Sequence, residues 1–111
     1  MAQELLMALV RRASAEQAIA FASLADGLQL LVYPLERGLV VGVGREGERA
    51  QRIDAAWLLQ RRAGDMARFG PWLPACLKDG RWFLLRRVAA FDPEVPALDQ
   101  EQLDAAEELL S

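Results

Sequence analysis

Histidine is absent from the 111-residue chain, and Cys76 is the only cysteine. The lack of histidine excludes Ser-His and Cys-His catalysis, histidine-ligated zinc and a histidine pH switch. A single cysteine cannot form an intrachain disulfide, so we expect no stapled, secreted fold. Without a histidine to stabilise a thiolate, Cys76 is interpreted as a buried packing residue in a strand. The sequence therefore predicts a protein with no catalytic residues, no metal site and no cofactor.

Long apolar runs and an excess of basic residues are lacking as well. No apolar run approaches the ~20 residues that a membrane span requires. Glu4 precedes the first apolar stretch and arginines follow it, which is the reverse of a signal peptide. The net charge of −3 argues against phosphate binding. We expect a soluble cytoplasmic protein that binds neither nucleic acid nor a membrane.

Turn signals indicate the organisation of the chain. No repeat or linker divides residues 1–111, so we expect a single domain. Asp26-Gly27 between apolar runs is typical of a hairpin because both residues tolerate positive φ. Glu36-Arg37-Gly38 and Lys78-Asp79-Gly80 predict two more turns. The strands are expected at residues 18–24, 28–34, 39–44, 72–77 and 81–89, with Pro74 at a sheet edge.

Three helices are predicted around these strands. Apolar residues at helical spacing indicate a first helix over residues 2–12, and residues 13–18 could extend it or lead into a strand. Asp54 can cap a second helix, which Gly70-Pro71 ends. Asp99 and Gln102 form a capping-box pattern before a last helix. The expected fold class is α+β, in the order α-β-β-β-α-β-β-α, with an antiparallel sheet covered by helices.

Several predicted strands are apolar on both faces. Leu30-Leu31-Val32, Leu39-Val40-Val41 and Trp82-Phe83-Leu84-Leu85 lack the alternation of a strand with one solvated face. Three helices can cover one face of five strands, and little chain remains for the other. The uncovered face would be a partner site or a self-association site. The alternative is that the sheet curls and buries both faces by itself.

The segment Gly42-Val43-Gly44-Arg45-Glu46-Gly47 matches the dinucleotide fingerprint G-x-G-x-x-G. A fingerprint needs a small, apolar first helical turn, whereas this one is highly charged. Asp79, the acid that could contact a ribose, lies further away than usual and within a better hairpin signal. We interpret the glycines as a strand end and a turn.

Paired arginines and tryptophans complete the candidate residues. Arg11-Arg12, Arg61-Arg62 and Arg86-Arg87 could form ion pairs with a partner, or lie on a solvated face balanced by acidic residues of the last helix. The three tryptophans, Trp57, Trp72 and Trp82, are core or interface residues, because tryptophan is enriched at binding hot spots.

Four segments, in the predicted order of helices and strands, carry a resemblance to a known family. They are residues 26–32, Ala56-Trp57-Leu58-Leu59, residues 76–84 and residues 98–110. Over nearly the whole chain, the sequence resembles the class I chaperones of bacterial type III secretion, the family that includes the chaperone of the Tir effector. The resemblance implies a small, acidic, homodimeric chaperone of a virulence system. Such a chaperone binds an extended N-terminal segment of a secreted effector and keeps it soluble and competent for export.

The resemblance also implies residue roles, transferred element by element. The effector-binding surface is expected at Leu5, Leu9, Phe21, Leu30, Val32 and Val41. The homodimer interface is expected at Trp57, Leu58, Arg61 and Trp72. The alternative function is a small adaptor or regulatory subunit that binds a folded protein partner, and an enzyme is the third possibility.

Overall fold

The computed structural model describes residues 2–24, 27–46, 53–89 and 97–111. The elements in chain order are α1 (Ala2–Glu16), β1 (Ala20–Ser23), β2 (Leu28–Pro34), β3 (Leu39–Arg45), α2 (Ala55–Gly64), α3 (Met66–Phe69), β4 (Leu73–Cys76), β5 (Trp82–Val88) and α4 (Gln100–Leu110). The expected α+β class is confirmed, and among the described residues the middle helix consists of two helices instead of one. Residues 92–96, whose two prolines predict a stiff connector before the last helix, lie outside the described residues.

Helix α1 is longer than its clearest apolar pattern. Leu6, Leu9, Val10 and Ala13 recur at helical spacing and are at most 4% exposed, so one stripe of the helix is buried. Residues 13–16, for which a helix and a strand were both open, continue the helix. The helix ends where Gln17 adopts a positive φ of 51°.

The middle helix is interrupted at Asp65. Asp54 caps α2 as expected, since its side chain accepts a hydrogen bond from the Ala56 N–H at 2.9 Å. Asp65 leaves the helical conformation, with φ −148° and ψ 74°, and its carboxylate caps the short α3 at the Arg68 N–H. Arg62 donates from Nε to the Trp72 carbonyl at 2.9 Å. This contact ties the end of α2 to the chain that leaves α3.

The five strands form one antiparallel sheet in the order β1-β2-β3-β5-β4. The predicted turn glycines Gly27, Gly38 and Gly80 have positive φ values of 74°, 85° and 89°, which glycine adopts without strain. Pro74 lies in the edge strand β4, as expected for a residue without an N–H donor.

Helix α4 begins at the predicted capping box. The Asp99 carboxylate accepts from the Gln102 N–H, and the Gln102 side chain accepts from the Asp99 N–H, both at 2.8 Å. Trp72, fully buried, donates its indole N–H to the Gln102 carbonyl at 3.1 Å. Trp72 therefore joins the chain before β4 to the last helix.

The core lies between the helices and one face of the sheet. Leu6 and Leu9 of α1, Leu58 of α2 and Leu109 of α4 belong to the same buried cluster as Leu30 and other strand residues. The strand residues of this cluster are Ala20, Leu28, Leu30, Val32, Leu39, Val41, Val43 and Leu84. None of the helices in the described part of the chain is long and apolar enough to cross a membrane.

Candidate functional site

The face of the sheet that points away from this core is the candidate functional site, and it is called the open face below. Successive strand residues point to opposite faces, so Leu31 lies opposite Leu30 and Val32. Leu31 and Phe83 are 6% and 0% exposed, yet neither belongs to the cluster that the helices join. The side chains on the two faces therefore form separate apolar layers.

Strand register arranges the open face in three rows that run across the strands. The first row is Ser23, Gln29, Gly44, Phe83 and Ala75. The middle row is Phe21, Leu31, Gly42, Leu85 and Leu73. The third row is Tyr33, Val40 and Arg87. The middle row carries no charged residue, and the charged or polar side chains lie toward the two ends.

Two glycines of β3 shape the floor of the open face. A Cβ atom at Gly42 would lie 2.6 Å from Leu31 Cγ, and one at Gly44 would lie 2.8 Å from the Phe83 ring. Leu31 and Phe83 therefore lie flat over the backbone of β3, in space that side chains would otherwise occupy. Leu31 and Phe83 are therefore buried although the helices do not cover them.

The margins of the open face remain exposed. Phe21 and Tyr33, on β1 and β2, are 42% and 51% exposed, and Leu73 on β4 is 59% exposed. The flat floor thus lies between two apolar rims on opposite sides of the sheet. An apolar surface of this shape is typical of a site that binds another chain.

One end of the open face carries a hydrogen-bonded polar group. Arg81 donates from Nε to Asp79 Oδ2 at 2.8 Å and from Nη1 to Gln29 Oε1 at 2.9 Å, and its guanidinium lies over the Phe83 ring at 5.7 Å. The backbone N–H of Arg81 also donates to the Asp79 carboxylate at 3.0 Å, and it is the main reason that the pKa of Asp79 is lowered. On the same side of the sheet, Ser23 donates to Glu46. This end already holds two carboxylates.

A second exposed apolar surface surrounds α2. Leu58 is the one buried residue of this ten-residue helix, while Trp57 and Leu59 are 56% and 49% exposed. The Arg61 guanidinium stacks on the Trp57 ring at 5.7 Å. A pocket of about 310 Å³ opens beside Trp57. Its apolar lining consists of Ile53, Trp57, Leu58, Leu109 and Leu110.

The residues expected to bind an effector mostly lie in the core. Leu9, Leu30, Val32 and Val41 are 3% exposed or less, and Leu5 packs against the same cluster. In this conformation a partner could reach them only if the helices moved. Phe21 is the member of the set that lies on the open face.

The residues expected at a dimer interface divide in the same way. Leu58 and Trp72 are 1% and 0% exposed, and they hold α2 and β4 to the rest of the domain. Trp57 is exposed on α2, where a second chain could contact it. Arg61 is half-buried there and donates from Nη1 to the Ser111 carbonyl at 3.1 Å.

Sequence reasoning predicted an uncovered apolar face from strands that include Leu31 and Phe83, but it assigned neither these two residues nor Tyr33 and Leu73 to a binding site. The available signal was the pair Gly42 and Gly44, because two glycines at a spacing of two residues leave one strand face without Cβ atoms.

The interpretation of Cys76 as a buried residue is wrong. Cys76 is exposed at the end of the edge strand β4. Beyond β4 the sheet has no further strand among the described residues, so the thiol has little to pack against.

The glycine fingerprint lies in a strand rather than in a phosphate-binding loop. Gly42 and Gly44 pair with β2 on one side and β5 on the other, and Gly47 lies outside the described residues. The described residues also contain no group of histidine, cysteine, aspartate and glutamate side chains placed to hold a metal ion.

Comparisons with protein-family models, with curated proteins and with solved structures find no match to this chain.

Proposed function

We propose that the chain is a non-catalytic binding protein whose open face holds an apolar segment of another protein. The observation that carries this proposal is the exposure of Phe21, Tyr33 and Leu73 on the rims of a face that the core cluster does not include. Their burial by a partner would be favourable by about 25 cal/mol per Å² of apolar area removed from water. A flat sheet face with apolar rims can receive an unfolded segment through separate side-chain contacts.

The more specific proposal is a class I type III secretion chaperone in the cytoplasm of a bacterium. Its support is the family resemblance of the sequence together with the element order of the fold. In this proposal the bound segment is the N-terminal part of a secreted effector, which stays unfolded and competent for export. The acidic net charge of −3 suits a protein that must stay in solution while it exposes apolar surface.

Self-association through α2 forms part of the same proposal. A two-fold interface must supply both a protruding group and a receiving surface from one patch. Trp57 protrudes from α2 and also lines the 310 Å³ pocket, so one patch provides both. Arg61, which is half-buried on α2, could face the exposed Glu107 of a second α4.

Binding to the N-terminal fragment of a candidate effector tests the main proposal. We expect the fragment to bind wild-type protein, and binding to weaken at least about tenfold when Tyr33→Ser and Leu73→Ser are combined, because each removes an exposed rim contact. Met66→Ser is the matched control, since Met66 is 51% exposed on α3, away from the open face.

Two results would count against the proposal. Equal binding by the rim variant and the Met66→Ser control would exclude the open face as the site. Binding of the folded C-terminal part of the effector alone would favour the adaptor alternative, in which the partner is a folded protein.

A further inference from the structure

Arg87 is the charged residue in the three rows of the open face. Arg86 and Arg87 follow each other in β5, so they point to opposite faces of the sheet. Arg86 stacks on the buried ring of Trp72 at 5.7 Å. Arg87 lies across from Val40, is exposed, and forms no ion pair with any residue that the structure describes.

The two ends of the open face carry different charged side chains. At one end, Asp79 and Glu46 supply carboxylates, and Arg81 is already bonded to Asp79 and Gln29. At the other end, Arg87 lies beside Tyr33 and Val40 and forms no ion pair with a described residue. Arg87 lies four residues along β5 from Phe83, a separation of about 13 Å at the rise of an extended strand.

We propose that the segment on the open face carries an acidic residue, and that Arg87 binds its carboxylate. This inference deepens the proposed function and rests on it. A guanidinium can bind a carboxylate through two parallel hydrogen bonds, which fix position as well as sign. Arg87 fixes one point of the bound segment, while the apolar rows supply most of the affinity.

Because the chain has a net charge of −3, a preference for acidic segments would indicate a local cation on the open face. An acidic segment gains nothing from the overall charge of the protein, because like charges repel. A preference for acidic residues must therefore come from a local cation. An exposed ion pair of this kind changes affinity by about two- to fivefold.

Selection of random peptides displayed on phage tests the inference. Peptides that bind wild-type protein and are lost on Tyr33→Ser are the ones that use the open face. We expect these peptides to be enriched in aspartate and glutamate next to apolar residues, and to bind Arg87→Gln about two- to fivefold more weakly. On Arg87→Glu, selection should instead enrich lysine and arginine. Arg12→Gln, which removes an exposed arginine of α1, is the control and should leave the peptides' affinity unchanged.

Each outcome separates the inference from the proposed function. Peptides that depend on Tyr33, show no acidic enrichment and bind Arg87→Glu as tightly as wild type would overturn the role of Arg87 alone. If no selected peptide depends on Tyr33, the open face is not a peptide site, and the proposed function fails together with the inference.

Discussion

Adding one methyl group at Gly44 tests how the floor of the open face is built. The new Cβ atom of Gly44→Ala would lie 2.8 Å from two atoms of the Phe83 ring, closer than carbon atoms pack. Because Phe83 is 0% exposed, its ring cannot move away without displacing its neighbours. Overpacking of this kind costs about 1–3 kcal/mol. The lower entropy of an unfolded chain with alanine returns about 0.4–1 kcal/mol.

The expected net loss is therefore about 1–2 kcal/mol in the free energy of unfolding. For a domain of this size it corresponds to a fall of roughly 4–8 °C in Tm. Urea unfolding followed by tryptophan fluorescence and a thermal melt measure both quantities. The control is Gly64→Ala, because a Cβ atom at Gly64 would meet nothing within 4 Å and the residue ends α2. Alanine there should stabilise the protein by up to about 1 kcal/mol.

A double-mutant cycle identifies the contact itself. Phe83→Leu removes the ring atoms that the new methyl group would meet, so Gly44→Ala should cost less in that background. We expect a coupling free energy of about 0.5–3 kcal/mol between the two positions. A neutral or stabilising Gly44→Ala, or strictly additive changes, would refute the proposed packing of Phe83 on β3.

Three other expectations follow from the described contacts. Leu58→Ala should destabilise the protein by about 2–5 kcal/mol, because Leu58 is the one buried residue of α2. Amide hydrogen exchange should increase in α2 before it increases elsewhere, and a uniform increase across the domain would contradict this. Trp57→Asp should weaken self-association at least about thirtyfold in light scattering, whereas Met66→Asp should not, and a wild-type monomer would exclude the α2 interface. The lowered pKa of Asp79 means that its hydrogen bonds with Arg81 stabilise the fold above the usual carboxyl pKa, and that this contribution is lost as pH falls through the lowered value. Asp79→Asn should therefore reduce the fall of Tm at acidic pH. The same fall of Tm in wild type and variant would show that the Asp79 carboxylate does not contribute this stability.

Local chemistry allowed most elements to be predicted from the sequence. The bounds of β2, Leu28–Pro34, are as expected, because Gly27 and Gly38 adopt the positive φ that tight turns require. Asp54 and Asp99 cap their helices at the predicted positions. Each of these features depends on a few neighbouring residues, so a single sequence contains the information.

Tertiary packing decided which side of each strand became the surface. Leu30 and Leu31 are equally apolar, and nothing in their own strand indicates which of them the helices cover. That choice depends on where α1 and α4 pack, which involves contacts far apart in the sequence. Since side chains alternate along a strand, Leu30 and Val32, which were expected to bind the effector, lie in the core. Leu31 and Tyr33 lie on the open face.

The same reasoning explains the position of Cys76. Its strand was predicted from local residues, but its exposure follows from the place of β4 at the edge of the sheet. The order of strands is a property of the whole fold, because β5 pairs with β3 and leaves β4 outermost. The sequence by itself determined the elements and their turns. The assembled sheet decided which apolar side chains were left for a partner, because burial depends on neighbours that local sequence does not specify.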